Sequence, residues 1–119
     1  MNRHAAALAL ALALTGCTSG NDAPDAGACA HELPTCPSSP PSYQQTIAPI
    51  IQQKCVTCHY PGTVAAKGDF STYPNVKANF GSMLNQTYSC LMPPANGAPL
   101  TTDERTQLLE WFVCSAPNN

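Results

Sequence analysis

Apolar residues recur along the middle of the chain at helical intervals. Ile47, Ile50, Ile51, Cys55 and Cys58 fall three and four residues apart and line one face of a helix. Pro49 suits a first helical turn, where no N–H is needed. The pattern therefore predicts a main helix over Ala48 to Cys58, preceded by a turn around Tyr43 to Ile47. Val76, Phe80, Met83 and Leu84 predict a second helix, beginning near Pro74 and ending before Cys90. Thr101 and Glu104 have the spacing of a capping box, and Asp103 adds negative charge to the same first turn, so a third helix runs to about Cys114. Leu108, Trp111 and Phe112 form one stripe of it, with Leu109 and Val113 alongside, a face wide enough that it must pack on something. Tyr60 to Thr72 and the proline-rich Leu91 to Leu100 read as loops. Nothing alternates like a strand. The expected fold class is all-α, a small domain of about three helices with long loops over residues 42–119.

The N-terminal pattern differs. Met1 to His4 give a short basic start, and Ala5 to Leu14 a continuous apolar run. That run is about half of the ~20 residues a bilayer span needs, so it reads as an export signal. It ends in Leu14-Thr15-Gly16-Cys17, which resembles the lipobox of bacterial lipoproteins. The resemblance implies cleavage after Gly16, acylation of Cys17 and, with Thr18 next instead of an acidic residue, sorting to the outer membrane. Residues 1–16 are then the signal peptide and residues 17–28 a lipidated flexible tether of small, polar, turn-forming composition. Residues 29–41 are a Cys/Pro-rich segment pinned by a disulfide. The expected location is exported and lipid-anchored to the outer membrane, facing the periplasm.

Composition narrows the function classes. At 119 residues there is room for one small domain. Five Lys and Arg against seven Asp and Glu leave a net charge of -2, so nucleic acid is not an expected partner. Lys54, Lys67 and Lys77 are scattered and read as solvated surface, and a monomer is expected. Seven cysteines are many for a chain this short and point to an oxidising compartment or a cofactor site.

Cys55-Val56-Thr57-Cys58-His59 has the spacing of a c-type haem attachment site. Cys55 and Cys58 would form the thioethers, and His59 would be the proximal iron ligand. A redox dithiol, a zinc site and a structural Cys55–Cys58 disulfide are the competing readings. After His59 the chain has two methionines and no further histidine. Met83 lies on the apolar face of the second helix, where methionine is usually core. Met92, in the stiff Met92-Pro93-Pro94 loop, is the expected distal iron ligand. His31 is given little weight as a ligand.

These features together resemble the monohaem cytochrome c family, in a small bacterial lipoprotein form like those of myxobacteria. The resemblance covers Ser42 to Pro117. It implies one covalently attached haem c, His59 and Met92 as axial ligands, and packing of Trp111 and Phe112 against Ile47, Ile50 and Ile51. The Tyr60 to Thr72 loop lacks the Gly-Pro-x-Leu segment that in many members receives the histidine's hydrogen bond, which leaves the partner of His59 open. Cys29, Cys36, Cys90 and Cys114 remain, with three pairings. Cys29–Cys36 and Cys90–Cys114 are the expected ones, the second worth about 3 kcal/mol in the chain-entropy model. The function this implies is a single-electron carrier, with no catalytic residues, between redox donor and acceptor proteins that the sequence does not identify. The alternatives are a haem-based sensor or peroxidase-like enzyme with an exchangeable sixth ligand, and a structural surface lipoprotein. Against the enzyme, the nearest polar candidate to Met92, Arg105, is expected to be an exposed helix residue.

Overall fold

The apolar face of the last helix is covered by the first helical segment of the domain. A computed structural model describes residue 29 and residues 32–63 and 68–119. The lipobox cysteine Cys17, the signal, the tether, His31 and Lys67 lie outside the described residues. Ser42 starts the first segment, its hydroxyl accepting from the Gln45 N–H at 3.3 Å. Tyr43–Ile47 form a π-helical turn in which the Ile47 N–H reaches back to the Ser42 carbonyl at 3.1 Å. This runs directly into α1, Ala48–Lys54. The wider turn suits Pro49, which has no N–H to give the Gln45 carbonyl and whose ring would crowd that carbonyl in a regular helix.

The pattern predicted α1 to extend to Cys58, but it ends at Lys54. The Val56 N–H bonds the Ile51 carbonyl, five residues back, and from Cys55 onward the chain turns tightly. The second helix, α2, spans Tyr73–Tyr88 with Pro74 in its first turn, and α3 spans Thr102–Val113. Asp69 fixes the approach to α2, accepting from the Ser71 N–H at 2.8 Å and from Asn75 Nδ2 at 3.0 Å. The hydrogen bonds from Ser71 hold its carboxyl below the usual carboxylate range. At α3 the capping box is complete: the Glu104 N–H donates to Thr101 Oγ1 at 3.1 Å, and the Thr101 N–H to Glu104 Oε2 at 2.8 Å.

Ile47, Ile51, Val76, Leu108, Leu109, Trp111 and Phe112 are the largest fully buried side chains. Ile47, Ile50, Ile51, Trp111 and Phe112 share one core with Met83, which is packing as its helical position suggested. The Tyr43 ring stacks on Trp111 at 5.5 Å and meets Tyr73 edge-on at 4.8 Å. Burial, and secondarily Tyr73, pushes the Tyr43 hydroxyl pKa up.

Past α3 the chain reverses through left-handed Ser115 and Ala116. The Ala116 N–H reaches the Trp111 carbonyl at 3.0 Å and the Ser115 N–H the Phe112 carbonyl at 2.9 Å, the paired bonds of a Schellman motif. Trp111 Nε1 donates to the Pro117 carbonyl at 2.9 Å, Tyr73 Oη to the Ala116 carbonyl at 3.0 Å, and the Tyr43 N–H to Asn119 Oδ1 at 2.9 Å. The C-terminal residues are thereby a lid on the aromatic cluster. Two lysines read as solvated surface are anchored instead. Lys77 donates to the Ser115 and Ala116 carbonyls, where the negative end of the α3 dipole favours a cation. Lys54 donates to the Pro99 carbonyl at 2.9 Å and pairs with Glu104 at 3.5 Å.

The disulfides correct the expected pairing. Cys29 bonds to Cys90 and Cys36 to Cys114, not Cys29 to Cys36 and Cys90 to Cys114. The segment before the helices is too polar and proline-rich to bury itself. A local bridge would only have pinned it to itself, whereas these two strap it onto the end of α2 and the end of α3. The entropic argument does not oppose long bridges, since closure entropy grows only logarithmically with loop length.

The expected cytochrome c-like domain, with loops wrapped around a haem, is corrected as well. Among the described residues, what folds is a small all-helical domain of three helices and loops, organised by a side-chain core around Trp111 and Phe112 and by the Cys29–Cys90 and Cys36–Cys114 disulfides.

Candidate functional site

The Cys55 to His59 segment is the chemically richest part of the chain, and the end of α1 delivers it. The Cys55 N–H still bonds the Ile51 carbonyl at 2.9 Å, so Cys55 caps the helix. Its own carbonyl then accepts from both the Cys58 N–H at 3.1 Å and the His59 N–H at 2.8 Å, folding the five residues into a single turn. Cys55 is a free thiol, and burial pushes its pKa up to about 12. Cys58 is held in a disulfide, and the Thr57 hydroxyl lies 3.9 Å from its sulfur.

His59 is fixed by the chain that follows the loop. Its Nδ1 lies 3.1 Å from the Gly68 carbonyl, its ring stacks on Phe70 at 4.4 Å, and its carbonyl accepts from the Phe70 N–H at 2.9 Å. The partner that the sequence left open is therefore Gly68. Bonded to a carbonyl, Nδ1 carries the proton, and Nε2 is left as the basic nitrogen. Gly68 has φ +148°, and a Cβ there would stand 2.7 Å from Phe70 Cε1. Gly68→Ala is expected to cost about 1–3 kcal/mol. It should also displace Phe70 from His59, read as a lowered melting temperature together with altered NMR shifts of the His59 ring protons. An unchanged melting temperature with unchanged shifts would show that neither φ nor the close approach matters.

Met92 is half-buried in the loop after α2. Its N–H and that of Leu91 both donate to the Gln86 carbonyl, at 3.1 and 3.0 Å. The backbone bonds holding Met92 thus run to α2, not to the turn that carries His59. Arg105, expected exposed, is buried and donates to the Thr87 carbonyl, tying α3 to the end of α2. Burial lowers its pKa.

The chain was compared with protein-family models, curated proteins and solved structures. It matches none of them.

The residues do not fit the covalently attached haem that the motif implied. Thioether attachment through this motif requires both sulfurs, and only Cys55 is a thiol, since the sulfur of Cys58 is already bonded to another sulfur. Among the described residues, no three or more His, Cys, Asp or Glu side chains come together as a metal-binding cluster. The expectations of a haem c, of iron ligated by His59 and Met92, and of a cytochrome electron carrier are accordingly corrected. What the geometry supports is a helical domain with disulfides and an aromatic cluster.

Sequence reasoning did not anticipate the Gly68 to Phe70 cradle or the C-terminal lid. Asp69, two residues before Ser71 and six before Asn75, was the one local signal, since a carboxylate at that spacing caps backbone N–H groups.

Proposed function

We propose that the protein is an exported lipoprotein, tethered through Cys17 to the outer membrane, whose folded domain serves as a structural module at the membrane surface. The observation that supports this reading best is the pair of long-range bridges, Cys29–Cys90 and Cys36–Cys114. Such bridges form and persist in oxidising compartments outside the cytoplasm. Both begin in the segment just after the tether, so the attachment point is welded to the domain by covalent bonds. A lipid anchor joined to a covalently strapped domain suits a display or spacing role at a membrane.

The test is to express the full chain, in a bacterium that matures c-type haem, with labelled palmitate. The expected result is a labelled, membrane-bound protein with a featureless visible spectrum, and an unlabelled, soluble Cys17→Ala variant. An unlabelled wild type, or a Cys17→Ala protein that stays membrane-bound, would overturn the anchor. A haem band surviving acid-acetone extraction would overturn the structural role.

A further inference from the structure

The two long-range bridges differ in what surrounds them. Cys90 is 4 % exposed and its partner Cys29 is half-buried, whereas Cys36 is exposed and its partner Cys114 half-buried. A thiol arriving from solvent attacks a sulfur it can reach, so access separates an exchangeable bridge from an inert one. The segment around Cys36 is also lightly held. Among the described residues, no backbone hydrogen bond joins residues 32–41 to a helix, and the Cys36 sulfur lies 3.5 Å from the carbonyl of its neighbour Pro37. Pro34, Pro37 and Pro40 are half-buried at intervals of three, while Thr35, Cys36, Ser38 and Ser39 between them are exposed. Three is the repeat of polyproline II, a conformation without internal hydrogen bonds. The segment thus keeps its place by one proline edge and by the Cys36–Cys114 bond.

We propose that Cys36–Cys114 is an exchange site for an external dithiol and the clasp of a releasable strap. One thiolate of the dithiol attacks the Cys36 sulfur. A mixed disulfide forms as the Cys36–Cys114 bond breaks, and the Cys114 sulfur leaves as a thiolate and takes up a proton. The second thiol of the dithiol gives up its proton and attacks the first, closing the dithiol to a disulfide and releasing Cys36 as a thiolate that is protonated in turn. The dithiol loses two electrons and two protons, and the bridge gains both.

Opening the clasp frees residues 32–41 and little else. The C-terminal lid keeps its own bonds, from Trp111 to Pro117, Tyr73 to Ala116 and Tyr43 to Asn119. Cys29–Cys90 stays closed, so the segment next to the tether remains joined to the end of α2. The inference is therefore compatible with the membrane anchor and separable from it, since palmitate labelling reads the anchor and peptide mapping reads the clasp.

The experiment titrates the oxidised full chain with dithiothreitol, followed by acid quenching, alkylation and peptide mass mapping. The expected result is one label each on Cys36 and Cys114 at concentrations that leave Cys29 and Cys90 unlabelled. In that species the backbone order parameters of Thr35, Cys36, Ser38 and Ser39, measured by nitrogen-15 relaxation, should fall from about 0.85 to below about 0.6, with helical circular dichroism unchanged. The Cys36→Ser/Cys114→Ser protein should show the same mobile strap with no reductant. Labelling of Cys29 and Cys90 together with or before the other two, order parameters that stay near their starting values, or loss of helical signal as the clasp opens would each overturn the proposal.

Discussion

Trp111→Ala is expected to remove most of the domain's stability. Trp111 is fully buried, stacks on Tyr43, lies beside Phe112 with ring centroids 5.4 Å apart, and donates its indole N–H to the Pro117 carbonyl. Truncating a buried aromatic of this size costs about 3–5 kcal/mol, against the 5–15 kcal/mol typical of a whole domain. Leaving the lid without its indole anchor adds to the loss. Helical circular dichroism during urea unfolding is the suitable readout, because the chain has one tryptophan and the variant has no indole fluorescence. Trp111→Phe should recover part of the loss by refilling the core without the hydrogen bond. A loss below about 1 kcal/mol for the alanine variant would mean that Trp111 does not organise this core.

The second large effect is expected from the Cys36–Cys114 bridge. Its sequence separation of 78 residues gives about 4.5 kcal/mol in the chain-entropy model. Replacing both cysteines with serine should lower the melting temperature by on the order of 20 °C in a domain this small. The effect is less than additive with loss of Cys29–Cys90, because the two closed loops overlap and the second bridge closes a loop the first has already shortened. Cys36→Ser alone gives a sharper reading. It should leave Cys114 open to alkylation while Cys29 stays protected by Cys90. A newly reactive Cys29 would instead indicate the local pairing.

How much of this was legible in the sequence depends on the range of the interaction. Elements defined by neighbours read well: the Thr101 and Glu104 box starts α3, Pro74 opens α2, and Pro49 sits where a first turn begins. The faces of Ile47, Ile51, Trp111 and Phe112 followed from helical periodicity and do meet in one core. Long-range choices did not read. Four cysteines have three pairings, and nothing local distinguishes a bridge closing seven residues from one closing 78. The end of α1 was misjudged because Cys55 and Cys58 continue the apolar rhythm although the backbone has already left the helix. Arg105 was misplaced for a similar reason. Its position gives the helix face, but only the arrival of the Thr87 carbonyl makes burying a guanidinium tolerable.

The chemical reading of Cys55 to His59 failed at a different level. A short motif states which side chains are close together, not the oxidation state in which the fold holds them. One sulfur of the pair is a thiol and the other is not, a difference that spacing does not carry.

The two bridges also determine how the domain bears mechanical load. In chain order the four cysteines of these bridges run Cys29, Cys36, Cys90, Cys114, and the bonds join first to third and second to fourth. A pull on the N-terminal side enters at Cys29 and passes at once to Cys90, then through the final stretch and its link back to Cys36. The chain between Cys36 and Cys90, which holds α1 and α2, lies off the path that runs through these two bridges. A protease cut anywhere between Cys36 and Cys90 would leave two pieces still held together by both bridges, travelling as one until a reductant arrives.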